Sequence, residues 1–321
     1  MKEKIVFLDS ATVDYGDIDF SAIDSLGDFE CYKVTSSGEI TGRCKEATII
    51  ITNKVIIDAS VIPGCPALKM IAESATGYNN IDIAEAKRRN IAVSNVPGYS
   101  TPTVAQLTMA FILALSTNLI KYNQAAHDGT WSSSDTFTLG TWPFSDLAGK
   151  TAGIMGLGAI GGEVAGLCRA FGMNVIALKR SGSANEGKFP RLNLYDLAAE
   201  SDFISIHMPL NDDTKYLVNS EFLSRMKKSA FLINMARGPI VEPSSLFRAL
   251  ESGTIAGAAI DVMEKEPPLP DDPLLKAPNL IITPHIAWAS IESRRRLVNE
   301  VAENIRSFLN GVKRNIVSDQ R

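Results

Sequence analysis

The stretch Thr151-Ala-Gly-Ile-Met-Gly156-Leu-Gly158-Ala-Ile-Gly161 decides how this chain is read. An apolar, strand-like run enters three glycines spaced GxGxxG, and a helical pattern follows with Val164, Ala165, Leu167 and Cys168. In a strand–turn–helix unit the first glycine permits a tight turn and the second lets backbone approach a pyrophosphate. The third allows the helix to pack closely on the strand. The helix N-terminus then offers free N–H groups and its positive dipole end to phosphates, through Leu157, Ala159 and Ile160 as well as the glycines. A bare GxGxxG is a weak signal. Set between a strand and a helix, it points to a dinucleotide site rather than a structural turn.

Outward from this unit, short β-rich runs alternate with helical patterns, which predicts parallel sheets flanked by helices. Strand candidates in the second series are Ala152–Met155, Asn174–Leu178, Phe203–His207, Ala230–Asn234, Ala258–Val262 and Leu280–Thr283. The first third offers Lys4–Leu8, Ala47–Thr52, Lys69–Glu73 and Ile91–Ser94. These early runs are continuous rather than alternating, as strands covered on both faces should be. Between the series lie one long helical stretch, Thr103 to His127, and a loop from Trp131 to Gly149. The last helix, Ser293–Leu309, places Leu297, Val298, Val301, Ile305 and Phe308 on one face. Two unequal sheets joined by two long helices fit a chain that leaves its first domain and later returns. The expected domains are 1–101 with 290–321, and 102–289, with the site in the cleft between them.

Composition agrees with an ordinary globular α/β protein. The chain has 321 residues, 45% hydrophobic and 21% charged, with a net charge of −4. That length favours two domains. The mild negative charge gives no electrostatic reason to bind nucleic acid or an anionic membrane, so an anionic substrate needs local cations. Met1–Leu8 lacks the apolar run of a signal peptide. The longest central apolar run, Met109–Leu115, falls short of the roughly 20 residues that span a bilayer. Cys31, Cys44, Cys65 and Cys168 are scattered, which argues against a zinc site or a disulfide framework. A reducing cytoplasm and packing roles for all four thiols are expected.

The ribose end of the dinucleotide is read at the close of Asn174–Leu178. An acidic residue there usually binds the ribose hydroxyls. Here Lys179-Arg180-Ser181 follows instead. A carboxylate would repel a 2′-phosphate, whereas a cationic pair can bind one, so NADP(H) is expected over NAD(H). The alternative is that these are solvated loop charges.

The chain resembles the D-isomer-specific 2-hydroxyacid dehydrogenase family over essentially its whole length. The resemblance rests on Ala75-Thr-Gly-Tyr-Asn-Asn-Ile-Asp82, the glycine fingerprint, Asn234-Met-Ala-Arg237-Gly238, Gly257-Ala-Ala-Ile-Asp261-Val, Glu266-Pro267 and Thr283-Pro-His285-Ile-Ala-Trp288. Each motif alone is modest; together, in this order and spacing, they are highly specific. Thr52-Asn-Lys54, Asn95-Val-Pro-Gly-Tyr-Ser100 and the Trp131 loop make it similar to the glycerate dehydrogenase, or hydroxypyruvate reductase, branch. The resemblance implies two Rossmann-like domains, a flavodoxin-like substrate domain and a doubly wound dinucleotide-binding domain, linked by two long crossing helices. It implies reduction of a small 2-keto acid to the D-2-hydroxy acid, and a homodimer, with the Thr103–Tyr122 helix as a candidate interface.

Hydride delivery to a ketone builds negative charge on its oxygen, so a proton donor must stand within hydrogen-bond reach. The chain offers three histidines. His127 ends a helix pattern as a surface or capping residue, and His207 ends a strand as a structural or cofactor-lining residue. His285 follows a strand and a proline, where the family motif places the acid. Glu266 matches the family's partner carboxylate, which favours protonated imidazole and fixes its orientation; an exposed loop carboxylate is the alternative. Arg237 matches the substrate-binding arginine, whose planar fork can hold a carboxylate and polarise the ketone; a structural salt bridge is the alternative.

The resemblance also implies that backbone N–H groups around Thr76, Gly77 and Tyr78 grip the substrate carboxylate, with Lys54 as a second cation. Asp261 is expected on the nicotinamide carboxamide, and Thr103 and Val104 on the cofactor. His207, Pro209, Thr214, Met235, Ala236 and Ala287 complete the implied cofactor contacts. Trp288 either closes the substrate pocket or packs between domains. Competing readings are a cofactor-sensing co-repressor that keeps the same residues, and lactate- or hydroxyisocaproate-type enzymes. Phosphoglycerate dehydrogenases often carry a regulatory domain after the last helix, and formate dehydrogenases have glutamine where Glu266 stands; neither fits.

Overall fold

The structure, a computed structural model, describes residues 2–179 and 188–319. The chain divides into two compact units: residues up to Ser100 together with those from Trp288 onward, and Thr101–Ala287.

The first unit is built on a parallel sheet of β1 (Lys4–Phe7), β2 (Asp28–Cys31), β3 (Ile49–Thr52), β4 (Met70–Glu73) and β5 (Ala92–Ser94), in the order β2-β1-β3-β4-β5. Successive side chains leave a strand on opposite faces. Ile5, Phe7, Ile49, Ile51 and Met70 pack with Leu297, Val301 and Ile305 of the C-terminal helix Ile291–Leu309. Val6, Ile50, Ile71 and Val93 pack with Ile62, Cys65 and Ile81. Both faces are covered, which is why these strands read as unbroken apolar runs.

Two expectations fail in this unit. β2 was not foreseen, because Asp28-Phe-Glu-Cys31 alternates acids with apolar residues at the sheet edge; its Asp28 and Glu30 carboxylates both take the Lys4 ammonium. Cys31 at its end is exposed rather than a packing residue, while Cys44, Cys65 and Cys168 are buried.

The second unit holds β6 (Thr151–Met155), β7 (Asn174–Leu178), β8 (Arg191–Leu192), β9 (Phe203–Ile206), β10 (Phe231–Asn234), β11 (Gly257–Ile260) and β12 (Leu280–Ile282). They form one parallel sheet in the order β12-β11-β10-β9-β6-β7-β8. The chain winds outward from β6 to β8, then returns to β9 and builds the other half. The turns that follow β6 and β9 therefore meet at the topological switch point, where open parallel sheets bind ligands.

The expected single helix Thr103–His127 is two helices, Thr101–Ser116 and Leu119–His127, bent by 64°. The Ser116 and Thr117 hydroxyls both return to the Leu113 carbonyl, at 3.1 and 2.7 Å, and Asn118 takes a left-handed backbone with φ +52°. Side chains that compete for helix carbonyls, followed by a left-handed residue, end a helix. The first of the pair packs Val104, Met109 and Ile112 with Val164, Ala165 and Cys168 of the helix Ala159–Ala170. Among the described residues no single helix is long and apolar enough to cross a membrane.

Candidate active site

At the switch point of the second unit, Gly156 ends β6 with φ +101°, where side-chain-bearing residues are disfavoured. A Cβ there would lie 2.7 Å from the His207 carbonyl and the Met208 nitrogen, so the turn after β6 rests on the turn after β9. A Cβ on Gly161 would meet the Gly156 carbonyl oxygen at 2.1 Å, which fixes how closely the next helix packs. Gly158 differs: among the described residues nothing lies within 4 Å of its Cβ position, and this helix N-cap has no side-chain cap. The first-turn N–H groups are thus left for an outside acceptor. Open space over Gly158 and uncapped donors fit a pyrophosphate. Leu157 and Ile160 turn inward onto the apolar cluster beneath.

Lys179 follows β7, exposed, with its N–H on the Leu192 carbonyl at 2.8 Å. Arg180 and Ser181 lie outside the described residues. After β9, Pro209 and Thr214 close one loop, the Thr214 hydroxyl donating to the Pro209 carbonyl at 2.8 Å. The His207 ring pairs through Nε2 with the Ser205 hydroxyl at 2.8 Å, and its Nδ1 is buried without a partner among the described residues. Burial pushes this ring down to about 3, so it is uncharged at neutral pH. His127 is exposed and pairs through Nδ1 with the Asn123 carbonyl at 2.8 Å. Among the described residues neither has a carboxylate partner.

The other groups hang from the carboxyl ends of β10, β11 and β12, which are neighbours in the sheet. The buried Asn234 side chain closes the turn after β10. It donates to the Arg237 carbonyl at 2.9 Å and accepts from the Ala236 N–H at 3.1 Å. Met235 and Ala236 are buried within that turn. Arg237 is half-buried, one guanidinium nitrogen donating to the Ala236 carbonyl at 2.8 Å. A Cβ on Gly238 would sit 2.1 Å from the Met263 carbonyl, so the arginine turn leans directly on the turn after β11. There the Met263 N–H donates to one Glu266 oxygen at 2.9 Å, and the other Glu266 oxygen meets His285 Nδ1 at 2.7 Å. With Nδ1 committed to the carboxylate, Nε2 is the nitrogen left for a reacting group.

His285 is held from below by Asp261, which is buried at the end of β11. One carboxylate oxygen accepts the Thr283 hydroxyl at 2.5 Å and the Ile286 N–H at 2.9 Å; the other accepts the Ala287 N–H at 2.8 Å. The His285 N–H donates to the Asp261 carbonyl at 2.8 Å, and His285 itself takes φ +54°. Burial raises the Asp261 carboxyl above its usual range, although three donors and the nearby imidazole pull the other way. A carboxylate has about four acceptor sites, so room for one more donor remains. Sequence reading missed this loop-holding role of Asp261, and missed Asn234 as the brace of the arginine turn. The available signal was a polar residue closing an otherwise apolar strand.

The remaining predicted residues belong to the first unit, except for Thr103 and Val104 on the helix Thr101–Ser116. Lys54 follows β3 and is exposed, while Thr76, Gly77 and Tyr78 follow β4. The Thr76 hydroxyl donates to the Val96 carbonyl at 2.8 Å, and Asn95 donates to the Thr76 carbonyl at 2.7 Å. Among the described residues the Gly77 and Tyr78 N–H groups have no acceptor within the chain. Trp288 packs edge-on to Tyr99 in this unit, ring centroids 6.3 Å apart.

Residues 109–287 match the family model for the D-isomer specific 2-hydroxyacid dehydrogenase, NAD binding domain. A hydroxypyruvate reductase of Blautia hydrogenotrophica is 37% identical, over 98% of this chain and 99% of its own. The crystal structure of D-lactate dehydrogenase from Aquifex aeolicus, complexed with NAD and lactic acid, superposes with a TM-score of 0.84 at 30% identity, covering 99% of this chain and 100% of that one. An NADPH-dependent glyoxylate/hydroxypyruvate reductase from Sinorhizobium meliloti, in complex with NADP and malonate, gives a TM-score of 0.85 at 27% identity, covering 99% and 97%.

Proposed function

Because this chain belongs to the D-isomer-specific 2-hydroxyacid dehydrogenase family, we propose that it reduces hydroxypyruvate, with glyoxylate as a smaller second substrate, to D-glycerate or glycolate, using NADPH in preference to NADH. The observation that carries the reading is the 2.7 Å His285–Glu266 pair, set on the same sheet edge as Arg237. The turn Gly156–Gly161 would hold a reduced dinucleotide by its pyrophosphate, and that group would supply the hydride. The chain must then neutralise charge on the ketone oxygen. Protonated His285 donates from Nε2, and Glu266 stabilises the imidazolium and fixes its orientation. The Arg237 guanidinium binds the substrate carboxylate and polarises the ketone. In the first unit the Gly77 and Tyr78 N–H groups and Lys54 are donors of the kind an anionic substrate would take.

The cofactor preference rests on Lys179-Arg180-Ser181, which stands where an acid would bind a ribose. Steady-state kinetics over a panel of 2-keto acids with both dinucleotides tests both parts. Higher kcat/KM with pyruvate or a bulky keto acid would overturn the substrate assignment, and equal or better efficiency with NADH would overturn the cofactor preference. We also propose a homodimer through the second unit, where Leu119, Ile120, Trp131, Phe137 and Phe144 expose apolar surface, Phe137 to 92%. Sedimentation of a monomer at micromolar concentration would refute it.

A further inference from the structure

The turns that bear Lys54 and Gly77 leave the first sheet at the carboxyl ends of adjacent strands, β3 and β4. Beneath them the core is unusually polar: Asp9, Thr52, Asn53, Glu73 and Ser74 are all buried. Buried polar groups weaken a fold unless they are paired, so their partners are informative.

Asp9, just beyond β1, turns its carboxylate into the lysine turn. It accepts the N–H groups of Asn53 at 2.9 Å, Lys54 at 2.6 Å and Val55 at 3.1 Å. Three successive N–H groups closing on one carboxylate form an anion nest, which fixes the backbone that carries Lys54. The lysine turn is then fastened to the glycine-bearing turn. Asn53 Nδ2 donates to the Ser74 carbonyl at 2.7 Å, and the Ile57 N–H donates to the Asn80 carbonyl at 2.8 Å. Asn80 Nδ2 donates both to the Val55 carbonyl, at 3.2 Å, and to Glu73 Oε2, at 3.1 Å. Glu73 is fully buried, and burial pushes its carboxyl well above the usual range, opposed by the Asn80 hydrogen bond and Lys54 and reinforced by Asp9.

We propose that Asp9 and Glu73 are positioning residues for substrate: Asp9 sets the Lys54 turn, and Glu73, acting through Asn80, locks that turn to Thr76–Tyr78 so that cation and N–H donors serve one carboxylate. The assignment of both turns to substrate rests on the function proposed above; the lock itself does not.

The test uses the full-length chain with Glu73→Ala, Glu73→Gln, Asn80→Ala and the Glu73→Ala/Asn80→Ala pair. Three quantities are read: kcat and KM for hydroxypyruvate, dinucleotide Kd by fluorescence titration, and amide exchange. Each alanine change should raise KM about tenfold, the effect of one hydrogen bond, while kcat and dinucleotide Kd move less than about twofold. The double variant should be no worse than either single, because both break one linkage. Glu73→Gln should restore KM, and exchange at 53–57 and 76–82 should quicken only in the alanine variants. Unchanged KM with unchanged exchange overturns the proposal. So does a KM rise that glutamine fails to rescue, or one matched by lost dinucleotide affinity, since both mark general destabilisation. If the wild-type chain reduced no 2-keto acid, the function would fall, and the exchange arm would still decide the lock.

Discussion

Asp261→Asn isolates the holding of His285 from the chemistry of the ring. Asparagine can keep its carbonyl toward Thr283 and Ile286, but its NH2 then faces the Ala287 N–H across the 2.8 Å gap that the carboxylate now bridges. One buried hydrogen bond is lost and a donor is left unpaired, together about 1–3 kcal/mol. For a domain of this size that lowers the melting temperature by roughly 2–12 °C. The loop also has a reason to relax, because a left-handed backbone at a non-glycine residue such as His285 is disfavoured by about 1–2 kcal/mol. A shift of the ring by about 1 Å reduces rate by about 10²-fold, so kcat should fall about 10- to 100-fold. Calorimetry gives the first quantity and absorbance of the reduced dinucleotide the second; a primary isotope effect from deuterated cofactor shows whether the chemical step has become limiting. A folded variant with wild-type kcat would refute the reasoning. So would a defect confined to dinucleotide affinity, which would make a cofactor contact the main role of Asp261.

Three further outcomes follow from the geometry. His285→Ala should slow turnover about 10²–10⁴-fold, the range for losing general acid catalysis; near-normal turnover in a folded variant excludes the assignment. Gly156→Ala places a methyl 2.7 Å from the 207–208 peptide at a positive φ. Overpacking of this kind destabilises by about 1–3 kcal/mol, and dinucleotide affinity should drop about tenfold or more, so an unchanged Kd rejects the contact. Glu73→Gln should alter how stability depends on pH. Above the usual 4.5 the unfolded Glu73 has lost its proton while the buried, raised carboxyl keeps it. The native state then binds more protons, and this group's contribution to stability is lost as pH rises toward the folded value. Glutamine removes that slope, so the variant should gain on wild type as pH rises above 4.5 in paired melts; parallel curves would contradict it.

Much of the fold was legible because parallel strands covered on both faces leave unbroken apolar runs, as at Ile49–Thr52 and Phe203–Ile206. β2 was not, since its two acids are neutralised by Lys4 on a neighbouring strand, a pairing no local pattern announces. β8 is only Arg191–Leu192, defined by backbone pairing with β7 alone. The break at Asn118 carries no glycine or proline to mark it. Within the site, Glu264 and Glu266 look alike in sequence, yet Glu264 takes the Tyr216 hydroxyl and Glu266 the His285 ring. Only the resemblance to a family singled out the second. Asp9 had no signal at all, because its partners lie 44 to 46 positions along the chain.

The φ of +54° at His285 has a consequence for selection. Judged by conformational preference alone, the position belongs to glycine or asparagine. A library screened only for heat tolerance would drift away from imidazole here, whereas one screened for turnover would hold it. On the role proposed for His285, this is therefore where the two pressures diverge, and the hydrogen bonds that Asp261 accepts from Thr283, Ile286 and Ala287 are what hold an imidazole on a backbone shaped for a smaller residue.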